Sequence, residues 1–154
     1  MKNIRLPLSL AVAFLICSLS PAFAAKGDVI DVTKLRDSIR ISLGQKIVIG
    51  FDQQGDRLTN PRRIQGAQKR PALTLEFYAD KKSKTLLMLL VESSYPRIVR
   101  YRAAARGKGR PAYYETIMLP INPNIPVLEG WSDPLEELIL YDFHLTNEKP
   151  PKTA

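Results

Sequence analysis

Short apolar runs separated by polar turns dominate this chain, and this pattern indicates β-strands rather than helices. Leu73, Leu75 and Phe77 alternate with residues that point to a second face, and a charged turn at residues 80–84 leads into the apolar run Leu86–Val91. The sequence therefore predicts a hairpin here. Because its second strand is apolar on both faces, we expect that strand to lie centrally in its sheet.

A second hairpin is predicted in the second half of the chain. Residues 98–103 and 112–119 are its strands, and the turn at 106–111 contains two glycines. Arg100 and Arg102 then lie on one face of the first strand, because successive side chains of a strand point to opposite faces. The remaining strands are predicted at residues 28–32, 39–43, 47–51 and 139–145.

Three further assignments concern the segments around these strands. In the last strand the apolar side chains that we expect to alternate with polar ones are Ile139, Tyr141, Phe143 and Leu145. Residues 57–70 are polar and contain a proline, so we predict an exposed loop. Asp133, Pro134 and Glu136 have the order of a helix N-cap, a first-turn proline and a reciprocal glutamate, which predicts a short helical turn.

Seven or eight strands with turns every eight to twelve residues predict an all-β fold, an antiparallel β-sandwich, with a β-barrel as the second choice. Immunoglobulin-like topology is an analogy only, since the cysteine–tryptophan–cysteine spacing of those domains is missing. We expect one domain over residues 25–148 and a disordered tail over residues 149–154.

The first 24 residues have the three parts of a cleavable secretory signal peptide. Lys2 and Arg5 form a basic start, an apolar stretch follows, and the small residues Ala22 and Ala24 precede a predicted cut before Ala25. A retained membrane anchor is the first alternative, but the apolar stretch is shorter than the roughly 20 residues of a spanning helix. We therefore expect a periplasmic or secreted protein without a transmembrane span in its mature form.

Cysteine and histidine are almost absent. The chain has one cysteine, Cys17, and one histidine, His144. Cys17 offers a lipoprotein alternative, although the neighbouring Ile16 is a poor match to lipoprotein processing. Removal of the signal peptide removes this thiol, so we expect no disulfide, no metal site and no cofactor. His144 and Asp142 suggest a catalytic pair, but no nucleophile motif accompanies them and we interpret His144 as a solvated strand residue.

Charge is distributed in blocks along the chain. Residues 57–110 carry fourteen basic and three acidic side chains, whereas residues 111–154 carry two basic and seven acidic ones. The basic block predicts attraction to an anionic surface or to an acidic protein. The alternative is internal complementarity, in which the acidic final strand lies beside the basic middle strands and partly neutralises them. Nucleic acid is a poor candidate for an exported protein.

The second hairpin holds the candidate binding residues. Its strand and turn concentrate arginine and lysine, whose side chains suit phosphate and carboxylate oxygens. A solvated hairpin whose charges discourage aggregation is the alternative interpretation. Trp131, which we predict in a loop, either closes the open end of the sandwich or contacts the same ligand. The candidate set is Arg97, Arg100, Arg102, Arg106, Lys108, Arg110 and Trp131.

Three functional hypotheses follow. The first is a non-enzymatic module of the cell envelope that binds a lipid headgroup, a glycan or an acidic partner protein through the basic hairpin. The second is a structural subunit of an envelope assembly that docks by strand addition. The third is a small carbohydrate-active enzyme that uses Glu129 and Asp133 near Trp131. The spacing of the acidic residues singles out no catalytic pair, and we interpret them as surface and turn residues.

Overall fold

The computed structural model describes residues 27–66, 69–83 and 85–147, together with the backbone of residues 16–19. A short 3-10 turn, Val32–Lys34, begins at the N-cap Asp31. All other regular elements in these residues are strands. The strands are β1 (Ile16–Leu19), β2 (Val29–Ile30), β3 (Ile39–Ser42), β4 (Lys46–Gln54), β5 (Arg57–Arg63), β6 (Leu73–Ala79), β7 (Leu87–Ser93), β8 (Ile98–Gly107), β9 (Tyr113–Thr116), β10 (Val127–Trp131) and β11 (Leu135–Thr146).

These strands pair into a single sheet in the order β1, β10, β7, β6, β4, β5, β11, β8, β9, β2, and β3 pairs with β11 beside this path. Every pairing is antiparallel except that of β1 with β10, which is parallel. The two ends of the path do not pair with each other in the described residues, so the sheet is not closed into a barrel. The predicted all-β, antiparallel class is confirmed, and so are both hairpins, β6–β7 and β8–β9.

The sheet folds over on itself so that its two halves share one core, as in a sandwich. Buried side chains of β4, β6, β7 and β10 belong to the same cluster as those of β3, β8 and β11. Phe51 of β4 and Phe143 of β11 meet with their ring centroids 4.7 Å apart. Phe77 of β6 meets Trp131 of β10 edge-on at 6.2 Å. Burying each such side chain stabilises the fold by about 1.5–3 kcal/mol.

A bulge at Asp142 divides β11 into two parts that face different ways. Leu138 and Leu140 belong to the main core, and Ile139 and Tyr141 belong to a smaller cluster on the opposite face. Beyond Asp142 the order is inverted, because Phe143 and Leu145 point into the main core. The prediction that the apolar side chains of residues 139–145 share one face is therefore wrong. The extra residue of the bulge switches the core-facing positions from even to odd numbers.

The smaller cluster is covered by the segment that precedes β3. Ala104, Tyr113, Ile139 and Tyr141 form it on the outer face of β8, β9 and β11. Three partly buried apolar side chains of the N-terminal segment pack against it, namely Ile30, Val32 and Leu35. Because Leu35 packs there, its sequence neighbours Lys34 and Arg36 lie on the same outer face.

Residues 57–63 form a strand, so the predicted loop over residues 57–70 is wrong in this part. Leu58 is buried in the main core. Pro61 lies where the register between β4 and β5 shifts. A proline that interrupts a regular ladder is tolerated at such an irregularity, because no ladder hydrogen bond is required from its nitrogen. Because this segment is mostly polar, its sequence did not indicate a strand, although one leucine of that strand is buried.

The predicted helical turn at residues 133–136 is also wrong. Strand β11 begins at Leu135, and the backbone nitrogen of Lys108 donates to the carbonyl oxygen of Pro134 at 2.7 Å. Trp131 lies in β10 rather than in a loop. The connection between β10 and β11 is therefore a short bend that is held by the β8–β9 hairpin.

Several predictions fall outside the described residues. The signal peptide over residues 1–24, its cleavage residues Ala22, Ala24 and Ala25, and the tail over residues 149–154 lie there, except for the backbone of residues 16–19. These remain predictions. Within the described part, no helix is long and apolar enough to cross a bilayer.

Candidate functional site: a basic groove on the outer face

The bulge in β11 aligns three basic side chains across three neighbouring strands. His144 of β11 pairs with Arg100 of β8 on one side and with Arg57 of β5 on the other. Leu58 and Phe143, which neighbour Arg57 and His144 along their strands, point into the core. Arg57, His144 and Arg100 therefore lie side by side on the outer face, since strand side chains alternate.

A cavity of about 340 Å³ lies beside this row. One wall is the segment that carries Lys34 and Arg36, and the opposite side is built from β5, β8 and β11. We call this cavity the basic groove. Its lining residues are Lys34, Leu35, Arg36, Asp37, Arg57, Leu58, Arg102, Tyr141, Asp142 and Phe143.

A hydrogen bond fixes the two sides of the basic groove to each other. A carboxylate oxygen of Asp37 accepts from the backbone nitrogen of Asn60 on β5 at 2.7 Å. Asp37 has a φ of 50° and Asp142 has a φ of 56°. Residues other than glycine rarely adopt this left-handed backbone region, although aspartate tolerates it better than most. The groove is thus bordered by two strained backbone positions that the surrounding contacts hold in place.

Arg102 is the most constrained cation of the basic groove. Its guanidinium forms an ion pair with Glu115 of β9 at 2.6 Å and lies over the ring of Tyr141, 5.3 Å from the centroid. The hydrogen bond to Glu115 raises the pKa of Arg102 above its ordinary value. Burial raises the pKa of Tyr141, and nearby Glu115 adds to that effect. The Arg102 charge is therefore partly neutralised before any ligand arrives.

Arg36 and Arg57 are the exposed cations that have no such compensation. In the part of the chain that the structure describes, neither forms an ion pair or a side-chain hydrogen bond, whereas Lys34 pairs with Asp31 at 3.2 Å. Arg100 is half-buried, and its Nε atom is buried without a hydrogen-bond partner. Guanidinium groups offer paired donors that match phosphate and carboxylate oxygens, so this arrangement is suited to bind an anionic group.

The structure distributes the other predicted binding residues to separate places. Arg97, at the opposite end of β8 from the hairpin turn, pairs with Asp56 at 2.7 Å and donates to Asn147 at 2.9 Å. Arg106 pairs with Glu136 at 3.4 Å and lies over the ring of Tyr113. Lys108 and Arg110 lie at the turn of the β8–β9 hairpin. The predicted set is therefore not one surface.

These ion pairs support the predicted internal complementarity between the basic and acidic blocks. The acidic residues of β11 and β9 lie beside the basic strand β8, and Glu137 also accepts from the hydroxyl of Tyr113. Burial raises the pKa of Tyr113, and the hydrogen bond to Glu137 acts in the same direction. The neutralisation is partial, because Arg36 and Arg57 of the basic groove and Lys108 and Arg110 of the hairpin turn have no ion-pair partner among the residues that the structure describes.

Trp131 and Glu129 lie inside the molecule. Trp131 is 2% exposed, and its indole nitrogen donates to Thr116 Oγ1 at 3.3 Å. Glu129 is 1% exposed, and its carboxylate accepts from the backbone nitrogen of Leu119 at 2.6 Å. The interpretation of Glu129 as a surface residue is wrong. Trp131 does not border the basic groove and packs edge-on against Phe77 in the core.

The basic groove contains residues that the sequence analysis did not select. Lys34 and Arg36 belong to a segment with balanced charge, and Arg57 belongs to the predicted loop. Only Arg102 is common to the predicted set and to the lining of the groove. A signal for Arg57 was present in the sequence, because the polar turn before it contains Gly55, which has a φ of 61° and allows a tight hairpin. The nearness of Arg36 follows from tertiary packing alone.

No group of three or more histidine, cysteine, aspartate or glutamate side chains among the described residues is arranged to hold a metal ion. No protein-family model matches the chain, and neither a curated protein nor a solved structure is significantly similar to it. The basic groove, with its uncompensated arginines, is the arrangement of side chains from which a function is inferred.

Proposed function

We propose that this protein is a non-enzymatic binding module whose basic groove takes up an anionic group of an envelope component or of an acidic partner protein. The observation that carries this proposal is that Arg36 and Arg57 border one cavity and have no ion-pair partner in the described residues. A phosphate or carboxylate placed between them gains charge-assisted hydrogen bonds from both sides.

The distribution of ion pairs supports this location. Arg97, Arg102 and Arg106 each have an acidic partner in the fold, so they contribute less to attraction at a distance. Arg36 and Arg57, and Arg100 beside them, have no such acidic partner among the described residues. An anion is therefore attracted to the groove more strongly than to the rest of the β8 strand.

The apolar part of the groove supplies shape in addition to charge. Leu35 and the ring of Tyr141 border it between the cations. An anionic group that is attached to a bulky body, such as an acidic side chain or the phosphate of a lipid headgroup, finds both elements there. The predicted export of the chain favours partners of the cell envelope.

A site-specific crosslinker tests this proposal in intact cells. We would place a photoreactive residue at Lys34, which borders the groove and is 82% exposed in its side chain, and a second one at Lys69, which is exposed elsewhere. We expect a specific product from position 34 and none from position 69. The product should disappear when Arg57→Glu is added. Equal products from both positions, or products that are unaffected by Arg57→Glu, would contradict the proposal.

A second candidate function is docking by strand addition at β10. The backbone of residues 16–19 pairs in parallel with residues 127–130 at the outer edge of the sheet. If the signal peptide is removed as predicted, that edge of β10 is left without its neighbour, and a strand of another protein has a place to pair. A chain that begins at Ala25 should then bind a peptide of residues 14–21 in a salt-resistant manner. Absence of binding would count against this candidate.

A further inference from the structure

A second cavity lies at one end of the sandwich, where four turns meet. The turn between β3 and β4 is held there by two backbone hydrogen bonds, from Leu43 to Glu136 at 3.1 Å and from Gly44 to Phe77 at 2.7 Å. The β8–β9 turn is held by the bond from Lys108 to Pro134. The cavity measures about 320 Å³, and we call it the end groove. Its lining residues are Leu43, Ala79, Thr85, Leu87, Lys108, Ser132, Pro134 and Leu135.

The walls of the end groove are mostly apolar. Leu87 and Leu135 extend the main core to the bottom of the groove. Leu43 is 41% exposed and lies at the opening. A single exposed leucine is ordinary on a protein surface, but this one continues an apolar wall that begins in the core. The groove therefore offers an apolar chain a continuous surface from the exterior to the core.

One side of the end groove is cationic. Lys108 lines both this cavity and a smaller one of about 90 Å³, which also contains Arg110 and Asp133. Neither Lys108 nor Arg110 has an ion-pair partner among the residues that the structure describes. Lys81 and Lys82 of the neighbouring β6–β7 turn are exposed and do not line the end groove. Asp133 opposes these charges, and its Oδ2 atom is buried without a hydrogen-bond partner in the described structure.

We propose that the end groove binds a single-chain anionic amphiphile as a monomer. The acyl chain lies along Leu43, Ala79 and Leu87, and the carboxylate or phosphate head contacts Lys108 and Arg110. The free oxygen of Asp133 accepts from a hydroxyl of the head group when one is present. A cavity of this size, with apolar walls and a few convergent polar groups, is typical of small-molecule sites. The position of the cations at one side matches a ligand that is charged at one end only.

The site is independent of the basic groove, because the two cavities share no lining residue. Arg36→Glu together with Arg57→Glu should therefore leave amphiphile binding unchanged. This separation makes the two proposals distinguishable by mutation.

Calorimetric titration of the purified protein with short amphiphiles tests the proposal. We would use decanoate, hexanoate and decanol, each below the concentration at which it forms micelles. We expect decanoate to bind at least about tenfold more tightly than hexanoate, because it buries more apolar surface. Decanoate should also bind more tightly than decanol, which lacks the negative charge. Equal affinity for decanoate and hexanoate would overturn the proposed apolar chain site.

Variants locate the binding in the end groove. Leu43→Asp places a negative charge at the opening and should weaken decanoate binding about tenfold or more. Ile117→Asp is the matched control, since Ile117 is 86% exposed and does not line the groove. Lys108→Glu with Arg110→Glu should weaken binding of decanoate but not of decanol. Circular dichroism and urea unfolding show whether the variants are folded.

Anionic vesicles distinguish a monomer site from a membrane contact. A protein that binds vesicles through Leu43 but binds no monomeric decanoate would have a membrane-contact surface here, and the proposal would be wrong. Binding of decanoate that is equally strong in Leu43→Asp and in the parent protein would overturn it as well. Retained decanoate binding in the presence of saturating inorganic phosphate is expected, because the acyl chain contributes to affinity.

Discussion

Arg57 and Arg100 lie on either side of His144, each paired with it from a neighbouring strand of the sheet. The three residues are 43 and 44 positions apart in the sequence. They share one face only because the extra residue at Asp142 shifts the alternation of β11. This row of basic residues is therefore a product of the bulge and of the strand order, and not of a continuous basic motif.

Substitutions at Asp142 test the contribution of the bulge. The φ of 56° at this position suits glycine and is unfavourable for a β-branched residue. Asp142→Val should lower the free energy of unfolding by about 1–2 kcal/mol relative to Asp142→Gly. Urea unfolding measures this difference. Glu92→Val, in the regular exposed part of β7, is the control and should change stability by less than about 0.5 kcal/mol. Equal stability of the two Asp142 variants would contradict the observed backbone.

Tyr101 provides a test of the core. Its hydroxyl is buried without a hydrogen-bond partner in the described residues, while its ring stacks on Phe143 with the centroids 5.9 Å apart. Tyr101→Phe keeps the ring and removes the unpaired hydroxyl, so it should raise the free energy of unfolding at pH 7 by about 1 kcal/mol. A decrease in stability would mean that the hydroxyl has a partner.

The pH dependence of the same variant supplies a second measurement. Burial raises the pKa of Tyr101 well above the ordinary value of 10.0, and nearby Glu129 acts in the same direction. The folded state therefore keeps this proton when the unfolded state loses it. The free energy of unfolding is therefore independent of this ionisation below pH 10, and it falls as the pH rises further, by about 1.4 kcal/mol per pH unit for one such group. Tyr101→Phe should show a shallower alkaline decrease than the parent protein, and parallel curves would contradict this.

Glu115 restrains Arg102 and so limits the charge of the basic groove. Glu115→Gln removes the carboxylate that pairs with Arg102 at 2.6 Å. The freed guanidinium should increase the affinity for an anion several-fold, whereas stability should fall by less than about 1 kcal/mol because the pair is only partly buried and solvent screens it. Glu92→Gln changes the net charge equally, far from the groove along the sheet order. Equal effects of the two variants on anion affinity would show that only net charge matters.

The sequence predicted those elements whose evidence is local. The alternation in residues 73–91 identified the β6–β7 hairpin, and the alternation in β8 placed Arg100 and Arg102 on one face. Both were found in the structure. Each of these predictions depends only on side chains within a few positions of each other.

The parts that were missed depend on partner strands. No sequence pattern between Ile139 and Leu145 predicts the bulge, because the register shift arises from the pairing of β11 with β8. Pro61 made β5 look like a loop, although it lies at an irregularity of the ladder. Trp131 was assigned to a loop because Gly130 and Ser132 flank it, and its burial follows from contacts with β6 and β9. Such long-range pairings leave no local pattern.

The affinity of the purified protein for heparin, a soluble polyanion, tests the role of the basic groove most directly. The measurement compares the parent protein, a variant with Arg36→Glu and Arg57→Glu, and a variant with Lys69→Glu and Arg70→Glu, at low and at high salt. Both variants change the net charge by the same amount, and Lys69 and Arg70 are exposed outside the groove. We predict a loss of about tenfold or more at low salt for the groove variant only, and a much smaller difference at high salt. Equal losses in the two variants would contradict the account.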